Sequence, residues 1–147
     1  MITFGQQNYP SLKLGNTIAT FAKYGCLSDV IIMGYDWLFG KNDTPYDIVP
    51  KLAYNANGEL LWSSLKNIGL ELKEQAWHVG YTPRNVIDKW WTNNDVCCAL
   101  ELNNGVHFVW QISRYYQGLG YRVFDPWLNK KVWQSKNITG CRIFGKI

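Results

Sequence analysis

The hydrophobic period of this chain changes once, from helical to extended, and that change limits the folds open to it. Directly after Gly25, the residues Leu27, Val30, Ile31, Gly34, Trp37 and Leu38 recur at three- and four-residue intervals up to Gly40. This is the spacing of a helix with one buried stripe. From Val96 the pattern becomes extended: Val96 to Leu102, an Asn103-Asn104-Gly105 step that marks a hairpin, Val106 to Ile112, then Tyr121 to Phe124 closed by Asp125-Pro126. Thr44-Pro45 and Thr82-Pro83 each read as an N-cap followed by a first helical proline. The first opens a short helix that Pro50 stops or kinks, and the second a helix through about Trp91. A further helix is expected over Glu59 to Asn67, ended by Gly69. Val132-Trp133 and Cys141 to Phe144 are weaker strand candidates, and the segment before Lys23 is expected to be extended chain and loops. Helices first and then a mainly antiparallel sheet predict a single α+β domain over residues 1–147.

Composition excludes several classes. With 47% hydrophobic and 18% charged residues, the chain can bury a core and is not disordered. It has no run of 18 apolar residues, and its start lacks the basic and apolar regions of a signal peptide, so no membrane association is expected. Cytoplasmic residence, or delivery within a particle such as a virion, follows as the expected location. The 15 Lys+Arg against 11 Asp+Glu give a net charge of +4 that is spread along the chain, which argues against nucleic acid as a partner. Cys26, Cys97, Cys98 and Cys141 form no CxxC and there are only two histidines, so reduced thiols, no metal and no cofactor are expected. The 8 Trp, 9 Tyr and 6 Phe either fill the core or line a cleft. Trp37, Trp62, Trp90 and Trp110 fall at periodic positions and are expected in the core, Trp127 is expected to shield Asp125, Trp91 and Trp133 to line a groove, and His78 to sit at the surface or in a cleft.

Chemistry concentrates on three residues. Cys26 opens the most clearly amphipathic helix, where unpaired N–H groups and the helix dipole favour a thiolate. His107 begins the strand after the Asn-Gly turn and Asp125 ends the next one. A hairpin centred on Tyr116 would place those two opposite each other, about 5 Å apart at Cβ, close enough for the carboxylate to orient the imidazole. On residue types alone, an inert buried thiol, a sheet histidine and an Asp-Pro turn former are the commoner readings.

The order of motifs adds to this. Gln7-Asn8-Tyr9-Pro10, Leu14-Gly15, Thr17-Ile18 and Tyr24-Gly25-Cys26-Leu27, followed by His107-Phe108-Val109 and Asp125-Pro126-Trp127, resemble the papain-like cysteine peptidases. The likeness is to the branch related to bacteriocin-leader (double-glycine) peptidases and runs over almost the whole chain. It implies N-terminal helices with the nucleophile helix packed on a mainly antiparallel sheet. It further implies Cys26 as nucleophile, His107 as its base, Asp125 as the residue orienting His107, and Gln7 as an oxyanion donor, with Gln6 its neighbour. The chain departs from the pattern in its short Gln7 to Gly15 segment, in Tyr9 where an aspartate is frequent, and in Ser28-Asp29 where a threonine is frequent. A carboxylate at Asp29, one helical turn from Cys26, would oppose the thiolate unless it points away.

The expected activity is a thiol hydrolase opening a peptide or peptidoglycan cross-bridge amide through an acyl-enzyme at Cys26, so the expected partner is a peptide or cell-wall peptide. The alternatives are a catalytically inactive binding or structural protein of the same shape, for example a phage virion component, and an acyltransferase using the same thiol.

Overall fold

The computed structural model describes residues 1–77 and 82–147; His78 lies outside them. Among the described residues there are four α-helices: α1 (Phe21–Tyr24), α2 (Cys26–Phe39), α3 (Pro45–Ile48) and α4 (Arg84–Trp90). Six strands, β1 (Leu70–Trp77), β2 (Val96–Leu102), β3 (His107–Tyr116), β4 (Gly120–Asp125), β5 (Lys130–Gln134) and β6 (Ile138–Lys146), form one sheet in the order β1-β6-β2-β3-β4-β5. Every neighbouring pair is antiparallel. The architecture is therefore α+β.

The helix α2 is built by its apolar run. Val30, Ile31, Ile32 and Met33 are all fully buried, which is more than one stripe. The helix is covered on both sides, by the sheet through Trp110, Phe124 and Phe144 and by Leu14, Phe21, Ile48 and Leu65 from the N-terminal half. A helix apolar all round belongs inside a core. Gly34 permits the close approach to the sheet: a Cβ there would sit 2.7 Å from the Phe144 ring and 3.3 Å from the Cys97 Cβ. Gly40 ends the helix in the left-handed region at φ 62°, where a side chain would be strained.

A second cluster covers the other face of the sheet, where α4 packs Ile87 against Cys98, Leu100, Val109, Val123 and Ile143. The α3 cap is a capping box: the Thr44 N–H and hydroxyl donate to Asp47 Oδ2 at 2.8 and 3.1 Å, and the Asp47 backbone N–H points back to the Thr44 side chain. Pro50 interrupts the helix as expected, leaving a 3₁₀ turn at Val49–Lys51.

Several expectations are corrected. The helix expected over Glu59 to Asn67 is a 3₁₀ helix at Trp62–Ile68, although Gly69 does end it at φ 80°. A strand precedes α4: among the described residues β1 pairs only with β6, and an edge strand with one unpaired side needs little of the apolar alternation that reveals a central one. The N-terminal segment holds α1 and a 3₁₀ turn at Gln6–Asn8 as well as loops. Trp110 is in the core and Trp62 and Trp90 pack partly against it, but Trp37 is 60% exposed. The tip of the hairpin between β3 and β4 is centred on Gly118, with Tyr116 paired to Gly120, and a register irregularity between Gln111 and Tyr115 leaves the pairs nearer the strand ends centred on Gln117, one residue later than expected.

Candidate active site

The start of α2, the start of β3 and the end of β4 converge at one end of the sheet. Cys26 is the first residue of α2 and is partly exposed, while Cys97, Cys98 and Cys141 are buried. Gly25 precedes it as a tight junction: a Cβ there would lie 2.5 Å from the Phe21 carbonyl oxygen. At this helix start the first-turn N–H groups have no intrahelical acceptor.

His107 Nε2 lies 2.7 Å from Asp125 Oδ1. The strand register alone would not put them opposite each other. Trp110 pairs with Phe124 and Gln111 with Val123, so Asp125 falls across from Val109 and meets His107 along a diagonal of the sheet. Asp125 is fixed further by the chain after it, since the N–H groups of Trp127 and Leu128 donate to the same Oδ1 at 2.9 and 3.3 Å. These backbone donors were invisible in the sequence, apart from the Asp-Pro step that turns the chain back.

The electrostatics follow from these contacts. Burial opposes a charge on His107, but its bond to Asp125 and its contact with Cys26 outweigh that and raise the imidazole to about 9. Burial alone would raise Asp125, yet the His107 bond and the two backbone donors bring its carboxyl below the ordinary value. With Nε2 held by Asp125, Nδ1 is the ring nitrogen left for the thiol. The three residues thus form a chain from thiol to imidazole to carboxylate.

Asp29 is fully buried, and neither carboxyl oxygen has a hydrogen-bond partner among the described residues. Burial first, and then the neighbouring Cys26, pushes its acid well above the carboxylate range. That favours the neutral acid, which does not repel a thiolate one turn away. Ser28 beside it is held by Tyr54, hydroxyl to hydroxyl at 2.8 Å.

The glutamines lie over the turn that carries Asp125. Gln7 is exposed and its Nε2 donates to the Trp127 carbonyl at 3.2 Å. Gln6 is buried, its backbone N–H donates to the Pro126 carbonyl at 3.0 Å and its Nε2 to the Ala22 carbonyl at 3.1 Å. Its Oε1 has no partner among the described residues. Neither amide is bonded to Cys26, so the structure brings Cys26, His107 and Asp125 together and leaves Gln7 at the rim. Trp127 is half-exposed and contributes backbone rather than ring to Asp125. Among the described residues no cluster of three or more His, Cys, Asp or Glu could hold a metal ion, and no helix is long and apolar enough to cross a membrane. Compared with protein families, curated proteins and solved structures, the chain has no significant match.

Proposed function

We propose that this chain is a papain-like thiol hydrolase that opens an amide bond in a peptide or a peptidoglycan cross-bridge. The observation that carries the reading is the 2.7 Å bond from His107 to Asp125 beside a partly exposed thiol at a helix start. An imidazole raised to about 9 keeps its proton at neutral pH, as a thiolate partner must. The Cys26 sulfur attacks the amide carbonyl carbon, and the oxygen takes the negative charge. The free N–H groups at the start of α2 stabilise that oxyanion, with the Gln7 amide as the side-chain donor once it turns from Trp127. His107 gives its proton to the leaving nitrogen as the C–N bond breaks, leaving an acyl-thioester on Cys26. His107 then takes a proton from water, whose oxygen displaces the sulfur and releases the acid.

The test is alkylation by iodoacetamide followed peptide by peptide across a pH series, together with clearing of purified cell walls. Cys26 should react far faster than the other three thiols at mildly acidic pH and slow when His107 is replaced by alanine. Wall clearing should vanish in Cys26→Ala. Equal reactivity of all four thiols would refute the reading.

A further inference from the structure

A second site lies at the other end of α2. Trp37 is eleven residues beyond Cys26, about 16 Å of helical rise away from it. There β2 and β3 part: their pairing stops at Ala99 and Trp110, while Val96 to Cys98 stay paired with β6 and Gln111 with β4. The split leaves a cavity of about 240 Å³ between the two strands, roofed by Trp37 from α2 and by Trp90 and Trp91 from the end of α4.

Its lining has an unusual chemistry. Indoles supply the flat surfaces, and their geometry is partly fixed, since Trp90 Nε1 donates to Glu74 Oε1 at 2.8 Å. Trp37 and Trp91 are 60% and 40% exposed, so their ring surfaces are open to a ligand. The polar side chains are the carboxamides of Asn93, Asn94 and Gln111, and among the described residues no charged side chain lines the cavity. Gln111 is the most telling of them. It is 4% exposed, its Nε2 donates to the Ser113 carbonyl at 2.9 Å, and its Oε1 accepts no bond from the described residues. That amide oxygen keeps access to solvent, which leaves it free to accept from a ligand hydroxyl.

We propose that this cavity binds one ring of a neutral sugar. Met1 also lines the cavity and brings an amino group, but no lining side chain among the described residues carries a charge to hold an ionic ligand, and a hydrocarbon would leave the carboxamides and the freed strand edges unpaired. A pyranose ring satisfies both halves of the lining: its C–H faces lie on indole, and its hydroxyls donate to amide oxygens and accept from amide N–H groups. The volume is below the ~300–1,000 Å³ of sites for drug-sized molecules, which suits a single ring with its neighbours extending into solvent. The site is separate from Cys26, so it stands whether or not the thiol is active.

The experiment records the indole N–H signals of the intact protein by two-dimensional NMR during titration with chitotriose, maltotriose and, as an apolar probe, 1-hexanol. Saturable shifts of the Trp37, Trp90 and Trp91 signals with either sugar, while Trp127 and Trp133 stay still, are expected. Trp91→Ala and Trp37→Ala, both at exposed positions, should weaken the dissociation constant at least tenfold, and Cys26→Ala should leave it unchanged. Absence of shifts with both sugars at tens of millimolar, shifts with hexanol only, or sugar shifts that persist in both tryptophan variants would overturn the proposal. Sugar binding without any wall or peptide cleavage would reject the hydrolase reading alone.

Discussion

His107 and Asp125 meet through a 2.7 Å hydrogen bond along a diagonal of the sheet rather than directly across it. The geometry therefore depends on the carboxylate being aimed, and the Trp127 and Leu128 N–H groups aim it. Asp125→Asn keeps the volume but removes the charge that holds the imidazole. Alkylation of Cys26 near pH 6 should slow by about tenfold or more, and turnover of any cleaved peptide by about 10²- to 10⁴-fold. Unchanged alkylation in the variant would show that Asp125 does not orient His107.

The same pair makes stability depend on pH. The folded imidazole titrates at about 9 against an ordinary 6.5, so its contribution is fully present below about pH 6.5 and is lost as pH rises through about 9. Asp125 has the opposite sign: its lowered value contributes above the ordinary 3.8 and is lost as pH falls through the folded one. Urea midpoints should thus fall on the alkaline side between those two histidine values, and the His107→Gln variant should flatten that limb.

Asp29 predicts a second, separable slope. An acid whose folded value is raised binds a proton in the folded chain that the unfolded chain has released, so stability declines as pH rises from about 3.8 toward the raised value. Asp29→Asn removes the titration. The difference in urea midpoint between variant and wild type should grow in the variant's favour from pH 4 to pH 8, measured at matched ionic strength. A difference that is flat with pH would mean that Asp29 is ionised in the folded protein.

The glutamines can be separated by what their substitution disturbs. Gln7 is exposed, so Gln7→Ala should leave thermal stability within about 0.5 kcal/mol while lowering peptide turnover by about 10²-fold. Gln6 is buried and ties the N-terminal turn to Ala22, so Gln6→Ala should cost about 1–3 kcal/mol of stability. If turnover survives Gln7→Ala but not a folded Gln6 variant, the oxyanion donor is Gln6.

Gly34 tests the seating of the nucleophile helix. Gly34→Ala puts a methyl 2.7 Å from the Phe144 ring, and should cost about 1–3 kcal/mol by forcing α2 from the sheet. Chemical denaturation measures this directly. A more stable variant would mean that Phe144 can yield without moving α2.

How much of this was legible in the sequence depended on whether the cause was local. The limits of α2 were readable because Gly25 and Gly40 bracket an apolar run, and those of β2 because its residues are apolar up to an Asn-Gly turn. The α3 cap was readable because Thr44, Pro45 and Asp47 act on their own backbone. The edge strand β1, with one unpaired side, shows its identity only through β6. The site divides the same way. Residue types and order singled out Cys26, His107 and Asp125, but the register at that end of the hairpin puts Val109 rather than His107 across from Asp125. Whether they meet was decided by the twist of β3 and β4 and by two backbone N–H groups after Pro126. Asp29 shows the limit most plainly: a carboxylate in the sequence is a charge, and only burial on all sides by the folded chain favours its neutral acid. The cavity under Trp37 likewise exists because two strands that pair over four residues then separate, a property of the sheet that no single segment carries.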